Sequence, residues 1–152
     1  KKGKTHVLHI IRELLSLEPT SKGTNVAQAL QYFTNAQKRH CTAFLISDFI
    51  GSGDMYQPLM IASNRHEVNA IQIYDRREAE LPNIGLAKFH DAETGNDIWV
   101  DTAIRSVRDA YAKAWRTNQE QIEQLFTRTG VNQVSVRTDE DYVKALMHLF
   151  KC

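Results

Sequence analysis

The residues best placed to do chemistry are Ser47 and Asp48, at the end of the apolar run CTAFLISDF (Cys41 to Phe49). A hydroxyl beside a carboxylate offers two kinds of chemistry. Ser47 could be a nucleophile with the acid alongside. Alternatively, the Asp48 carboxylate could be a hard ligand for a cation such as magnesium. No histidine is placed by sequence to activate Ser47, which weighs against hydrolysis. A third reading has Asp48 only organising the IGSGD loop that follows, or capping a helix. One further oxygen belongs with this pair. Thr24, in KGTN (Lys22 to Asn25), opens a helix immediately before the strand that delivers Asp48. In a doubly wound sheet this order can bring Thr24 and Asp48 to the same sheet edge, where ligands collect. Two ligands do not complete a metal site.

Other chemistry is sparse. The chain has no GxGxxG, no Walker lysine loop, no HExxH and no GxSxG. His6 and His9 are three apart on a helix but have no third ligand in sequence. His40, His66, His90 and His148 are scattered. Asp139, Glu140 and Asp141 suit a helix start, where the macrodipole favours acids. Arg76, Arg77 and Lys88 are interleaved with Glu78 and Glu80, so they leave no nucleic-acid footprint. The two cysteines, Cys41 and Cys152, have neither disulfide-framework nor zinc spacing. Cys41 reads as an inert core residue, and a reducing, cytoplasmic setting follows as the plainer expectation.

The elements that must position Thr24 and Asp48 can be read from periodicity. Val7, Ile10, Ile11, Leu14 and Leu17 form one helical stripe, stopped by Pro19. A second helix runs from about 25 to 37, with Thr24 as its expected N-cap. Residues 41–47 lack alternation, which predicts a strand buried on both faces, as in a parallel sheet. A helix over 55–65 follows, opened by Asp54 with Pro58 in its first turn. Next come a buried strand over 69–74 ending in Asp75, and a charged loop over 76–82. Residues 85–90 and 97–101 predict a β-hairpin turning at Thr94-Gly95-Asn96. The longest helix spans roughly 103–129. It faces inward through Ile104, Val107, Tyr111, Ala114, Trp115, Ile122, Leu125 and Phe126, and Gly130 ends it. A strand over 131–136 and a helix from Thr138, a capping-box start, to Phe150 complete the chain. Strands alternating with helices make this an α/β fold with a doubly wound, mostly parallel sheet.

The 152 residues suit a single domain, 1–152, with 42% apolar and 24% charged residues. The net charge of +1 gives no bias toward nucleic acid or anionic lipid. No apolar run approaches the roughly 20 residues a membrane helix needs. The start lacks a methionine and a signal-peptide cleavage site, so the sequence is expected to be a piece of something longer.

KGTNVAQAL followed by FLISDF resembles two metal-site motifs of von Willebrand factor A-type domains. DAETGNDIWVDTA (91–103), RSVRDAYAKAWR (105–116) and VSVRTDEDYVKALMHLF (134–150) are similar to the bacterial family called domain of unknown function 58, which has a von Willebrand A-like fold. This resemblance implies a non-catalytic protein-binding module. It further implies action with a MoxR-type AAA+ ATPase in assembly or maturation of other proteins. In such a domain a metal-ion-dependent adhesion site holds a divalent cation through an Asp-x-Ser-x-Ser loop, the threonine and the aspartate. Only Thr24 and Asp48 carry over, because the first motif is absent here. The expected site is therefore partial, and weak or empty of magnesium, with no other cofactor. The resemblance also implies that N-terminal strands, roughly one βαβ unit, are missing. One edge of strand 41–47 would then have no partner, an invitation to homodimerisation or strand swapping. The competing function is a hydrolase or phosphate-handling enzyme built on Ser47 and Asp48.

Overall fold

The computed structural model describes residues 3–18, 24–90 and 95–149. The expected stop at Pro19 and most of the hairpin turn lie outside them. Within them the order is α1 (Lys4–Ser16), α2 (Val26–Ala36), β1 (Thr42–Ser47), α3 (Tyr56–Arg65), β2 (Glu67–Tyr74) and α4 (Arg76–Ala79). The hairpin β3 (Leu86–His90) and β4 (Asp97–Asp101) follows, then α5 (Arg105–Thr129), β5 (Asn132–Arg137) and α6 (Tyr142–Leu149).

β1, β2 and β5 form a parallel three-stranded sheet in the order β1-β2-β5, which leaves β1 at an edge. Thr42 pairs with Glu67 and Ser47 with Gln72; Asn69 pairs with Asn132 and Tyr74 with Arg137. This is an α/β architecture with a mostly parallel sheet and a separate antiparallel pair, β3-β4.

The core lies on one face of the sheet. Val68 and Ala70 of β2, with Leu45 of β1, pack against Val26 and Leu30 of α2, Leu59 and Ala62 of α3, and Ile122 and Phe126 of α5. Strand side chains alternate between faces, so Phe44, Ile46, Ile71 and Ile73 belong to the other face. There α6 packs on β5, and Tyr142 and Leu146 line a cavity of about 200 Å³ with Ile46, Ile71, Ile73 and Val136. Phe44 and Ile46 remain 47% and 59% exposed. The expectation of a strand buried on both faces is thus corrected for β1: its burial alternates, because only one of its faces is covered.

Three other expectations change. The apolar stripe of α1 is amphipathic as predicted, but among the described residues none of it is buried. In α5 the C-terminal half is inward-facing through Ile122 and Phe126, whereas Ile104 and Tyr111 are exposed. The segment after Asp75 is a short helix rather than a loop, because the Asp75 carboxylate accepts from the Arg77 amide at 2.8 Å and starts a turn. At Gly130 the expectation holds. Its φ of 67° closes α5 in a left-handed cap, and the Val131 amide donates to the Phe126 carbonyl at 3.0 Å. The hairpin is tied in at its base. The fully buried Thr102 hydroxyl accepts from the Ile84 amide and donates to the Gly85 carbonyl, while Arg108 donates to the Thr102 carbonyl.

Candidate functional site

Parallel strands end together, so the carboxyl edge of the sheet gathers the residues that follow β1, β2 and β5. After β1, Asp48 and Ser47 make a tight turn. The Asp48 Oδ1 accepts from the Ile50 amide at 3.0 Å, and the Ser47 Oγ accepts from the Phe49 amide at 3.1 Å. Phe49 has a φ of 59°, a left-handed conformation that a bulky non-glycine residue rarely adopts. Packing compensates for that strain. Phe49 is 2% exposed and sits edge-on to Phe126, with ring centres 5.1 Å apart.

Behind this turn, Gln72 bridges the three strand ends. Its Nε2 donates to the Asp48 carbonyl at 3.2 Å, and its Oε1 accepts from the Ser135 hydroxyl at 3.0 Å. After β2, Asp75 accepts from the Arg77 amide and from the Thr138 hydroxyl beyond β5. These two hydrogen bonds, the amide first, hold its carboxyl below the usual carboxylate range. Glu78, in the following turn, moves the opposite way. Partial burial raises it first, and the charges of Asp48 and Asp75 raise it further, against a hydrogen bond from the Asp75 backbone. Burial, then Glu78, pushes the Tyr111 phenol up. The edge is therefore acidic, with Asp48, Asp75 and Glu78 close enough to feel one another.

Thr24 is exposed, and it does not cap α2. Asn25 does, its side chain accepting from the Gln28 amide at 2.9 Å. Similarly, Asp141 rather than Thr138 accepts from an amide of α6, because α6 begins only at Tyr142, and the Thr138 hydroxyl instead donates to Asp75. A short connection separates the end of α2 from the start of β1, Phe33 near the end of α2 lies against His66 just before β2, and Ala29, Leu30 and Phe33 line a cavity with residues 42–45 of β1. The two therefore run antiparallel, and the start of α2 lies at the same end of the sheet as Asp48. The sequence brings Ser47 to Asp48 as neighbours, their oxygens 3.5 Å apart. His66, the buried histidine among the described residues, lies at the opposite end of β1 beside Cys41, far from any role with Ser47. Among the described residues, no three His, Cys, Asp or Glu side chains are grouped to hold a metal ion.

Gln72, Glu78 and Thr138 are contributors that motif searching misses. Asp75 had a visible signal, since β2 ends in an aspartate just as β1 does. Glu78 had none, because its position depends on a helical turn that charge composition argues against.

The fold defines an α/β protein whose polar residues cluster at the carboxyl edge of a parallel sheet. The match to the family "Protein of unknown function DUF58" covers residues 1–121, and the chain belongs to that family. It is 30% identical to an uncharacterized protein of Mycobacterium tuberculosis over 145 residues, 93% of this chain and 45% of that protein. A protein of Mycobacterium avium, also uncharacterized, is 31% identical over 135 residues, 88% of this chain and 78% of its own length. The chain thus spans less than half of the Mycobacterium tuberculosis relative. No solved structure matches it. Among the described residues no helix is long and apolar enough to cross a membrane.

Proposed function

We propose that the chain is part of a von Willebrand A-like domain serving as a non-catalytic protein-binding module. It would act with a MoxR-type AAA+ ATPase in assembly or maturation of other proteins, in a cytoplasmic setting. Thr24 and Asp48 are two members of a magnesium site that this sequence leaves incomplete. The observation that carries the reading is the Asp48 turn: an exposed carboxylate fixed by its own loop, at the carboxyl edge of an edge strand. Such a group presents charge outward to a cation or partner without needing to move. A hydrolase reading would start from the Ser47 hydroxyl. That oxygen is occupied as an acceptor for the Phe49 amide, which suits a structural role better than nucleophilic attack.

The test is a pair of measurements on the chain and on Asp48→Ala. Titration calorimetry with magnesium should give affinity weaker than about 10 μM, with most ligands supplied by water. Co-purification with a MoxR-type ATPase should occur and should weaken in the variant. Turnover of a generic ester or phosphate ester, lost in Asp48→Ala, would overturn the binding-module reading in favour of the enzyme.

A further inference from the structure

At the amino end of the sheet, away from Asp48, a cysteine and a buried histidine face each other. Cys41 Sγ lies 3.7 Å from His66 Nδ1, and the Cys41 carbonyl accepts from the Glu67 amide at 3.0 Å, fixing both residues across the β1–β2 seam. His66 is 3% exposed; its ring is held by Phe33, 4.7 Å away between centres, with His40 at 6.4 Å. Its Nε2 is buried and has no hydrogen-bond partner. A proton on Nε2 would therefore be an unmet buried donor, at a cost a neutral ring avoids by carrying its proton on Nδ1. That tautomer aims an N–H at the Cys41 sulfur. Cys41 itself is only partly buried, whereas the histidine beside it is buried. The expectation of an inert core cysteine does not fit this placement. Exposed Lys38 and Arg39 precede Cys41 and exposed Arg65 precedes His66, three cations near the pair in sequence against the one carboxylate of Glu67, which accepts from the Thr42 hydroxyl.

We propose that Cys41 is a thiol-modification site, with His66 as its positioning residue, that reacts with carboxylate-bearing low-molecular-weight disulfides. The Cys41 thiol gives its proton to solvent, and the thiolate attacks one sulfur of R–S–S–R. A Cys41–S–S–R bond forms, the reagent's S–S bond breaks, and R–S⁻ leaves and is protonated by solvent. Cys41 is oxidised and the reagent reduced, so the exchange balances without another reactant. The His66 N–H steadies the sulfur charge during attack, and the flanking cations select an anionic reagent. The adduct would stand at the start of the unpaired β1 edge.

The test uses the chain with Cys152→Ser, so that one thiol remains, and mass spectrometry to time the adduct formed with oxidised glutathione or with the uncharged disulfide of 2-mercaptoethanol. The native chain should react with glutathione disulfide about tenfold faster than the urea-unfolded chain, and the uncharged reagent should show a smaller ratio. His66→Phe should lose the advantage. His66→Asn, whose amide N–H can occupy the place of Nδ1–H, should restore part of it, with circular dichroism confirming that both variants fold. A native rate no faster than the unfolded one overturns the proposal, with no variant needed. Equal rates for His66→Phe and the parent, or for His66→Asn and His66→Phe, remove His66 from it. Equal native-to-unfolded ratios for the two reagents remove the cation-based selectivity.

Discussion

The two faces of the central sheet are built from the same three strands and meet different fates. On one, α2, α3 and α5 bury Leu59, Ala62 and Ala70 completely. On the other, α6 packs on β5 and borders a cavity with Ile46, Ile71 and Ile73, and Phe44 and Ile46 stay about half exposed. Residue type does not distinguish them, since both are apolar. What differs is whether a helix arrives. Among the described residues, the covered face is a packed core and the other is only partly covered.

The contrast is sharpest in truncation. Phe126→Ala, at a side chain 1% exposed, should lower stability by about 3–5 kcal/mol, read from the urea midpoint. Phe44→Ala, at 47% exposure, should cost less than about 1 kcal/mol. Comparable losses would mean that the open face is covered in solution. Next in size is Gly130→Ala. Its φ of 67° penalises any Cβ, and the cap delivers Val131 into the covered face, so a loss of about 1 kcal/mol is expected in the same measurement.

The carboxyl edge, where the two faces meet, gives a smaller pH effect with two signs. Asp75 is held below its usual range of about 3.8, so its contribution is present above that pH and lost as pH falls through the folded value. Glu78 is raised above 4.5, so its contribution is full below 4.5 and lost as pH rises through the folded value. Glu78→Gln should therefore flatten the loss of thermal stability between pH 4.5 and neutrality, and Asp75→Asn should flatten the acid limb. Smallest in stability is Ile46→Lys, which should leave the melting temperature nearly unchanged. It should also abolish any concentration-dependent association seen by light scattering, because a lysine on an edge strand discourages pairing. A chain that is monomeric at high concentration before the change would remove the edge-pairing idea altogether.

Much of the covered face was legible in the sequence. CTAFLIS and NAIQIY mark β1 and β2 by composition, and Gly130 marks the end of α5, because buried strands and left-handed caps each demand particular residues. The failures share a cause. The stripe of α1 and the inward positions Ile104 and Tyr111 of α5 have correct periodicity, but periodicity states which side a helix would bury, not whether anything is there. The capping errors were local. Thr24 and Asn25 are both competent N-caps, as Thr138 and Asp141 are; the cap moved by one residue at α2 and by three at α6. For the candidate site, Asp48 and Ser47 were readable from the strand end, whereas Gln72 and Glu78 required the register of β2 and a turn that only Asp75 specifies.

The sheet's register also sets an order of assembly. The first seam joins residues 25 apart, as between Thr42 and Glu67, with α3 between them. The second joins residues 63 apart, as between Asn69 and Asn132, and must wait for the hairpin and all of α5. Closing the longer loop costs more chain entropy and comes later. On a ribosome, β2, already paired with β1, would stand for a time with its other side open, awaiting β5 from the same chain. Until β5 arrives, that βαβ unit exposes as an apolar edge the side of β2 that the finished sheet pairs.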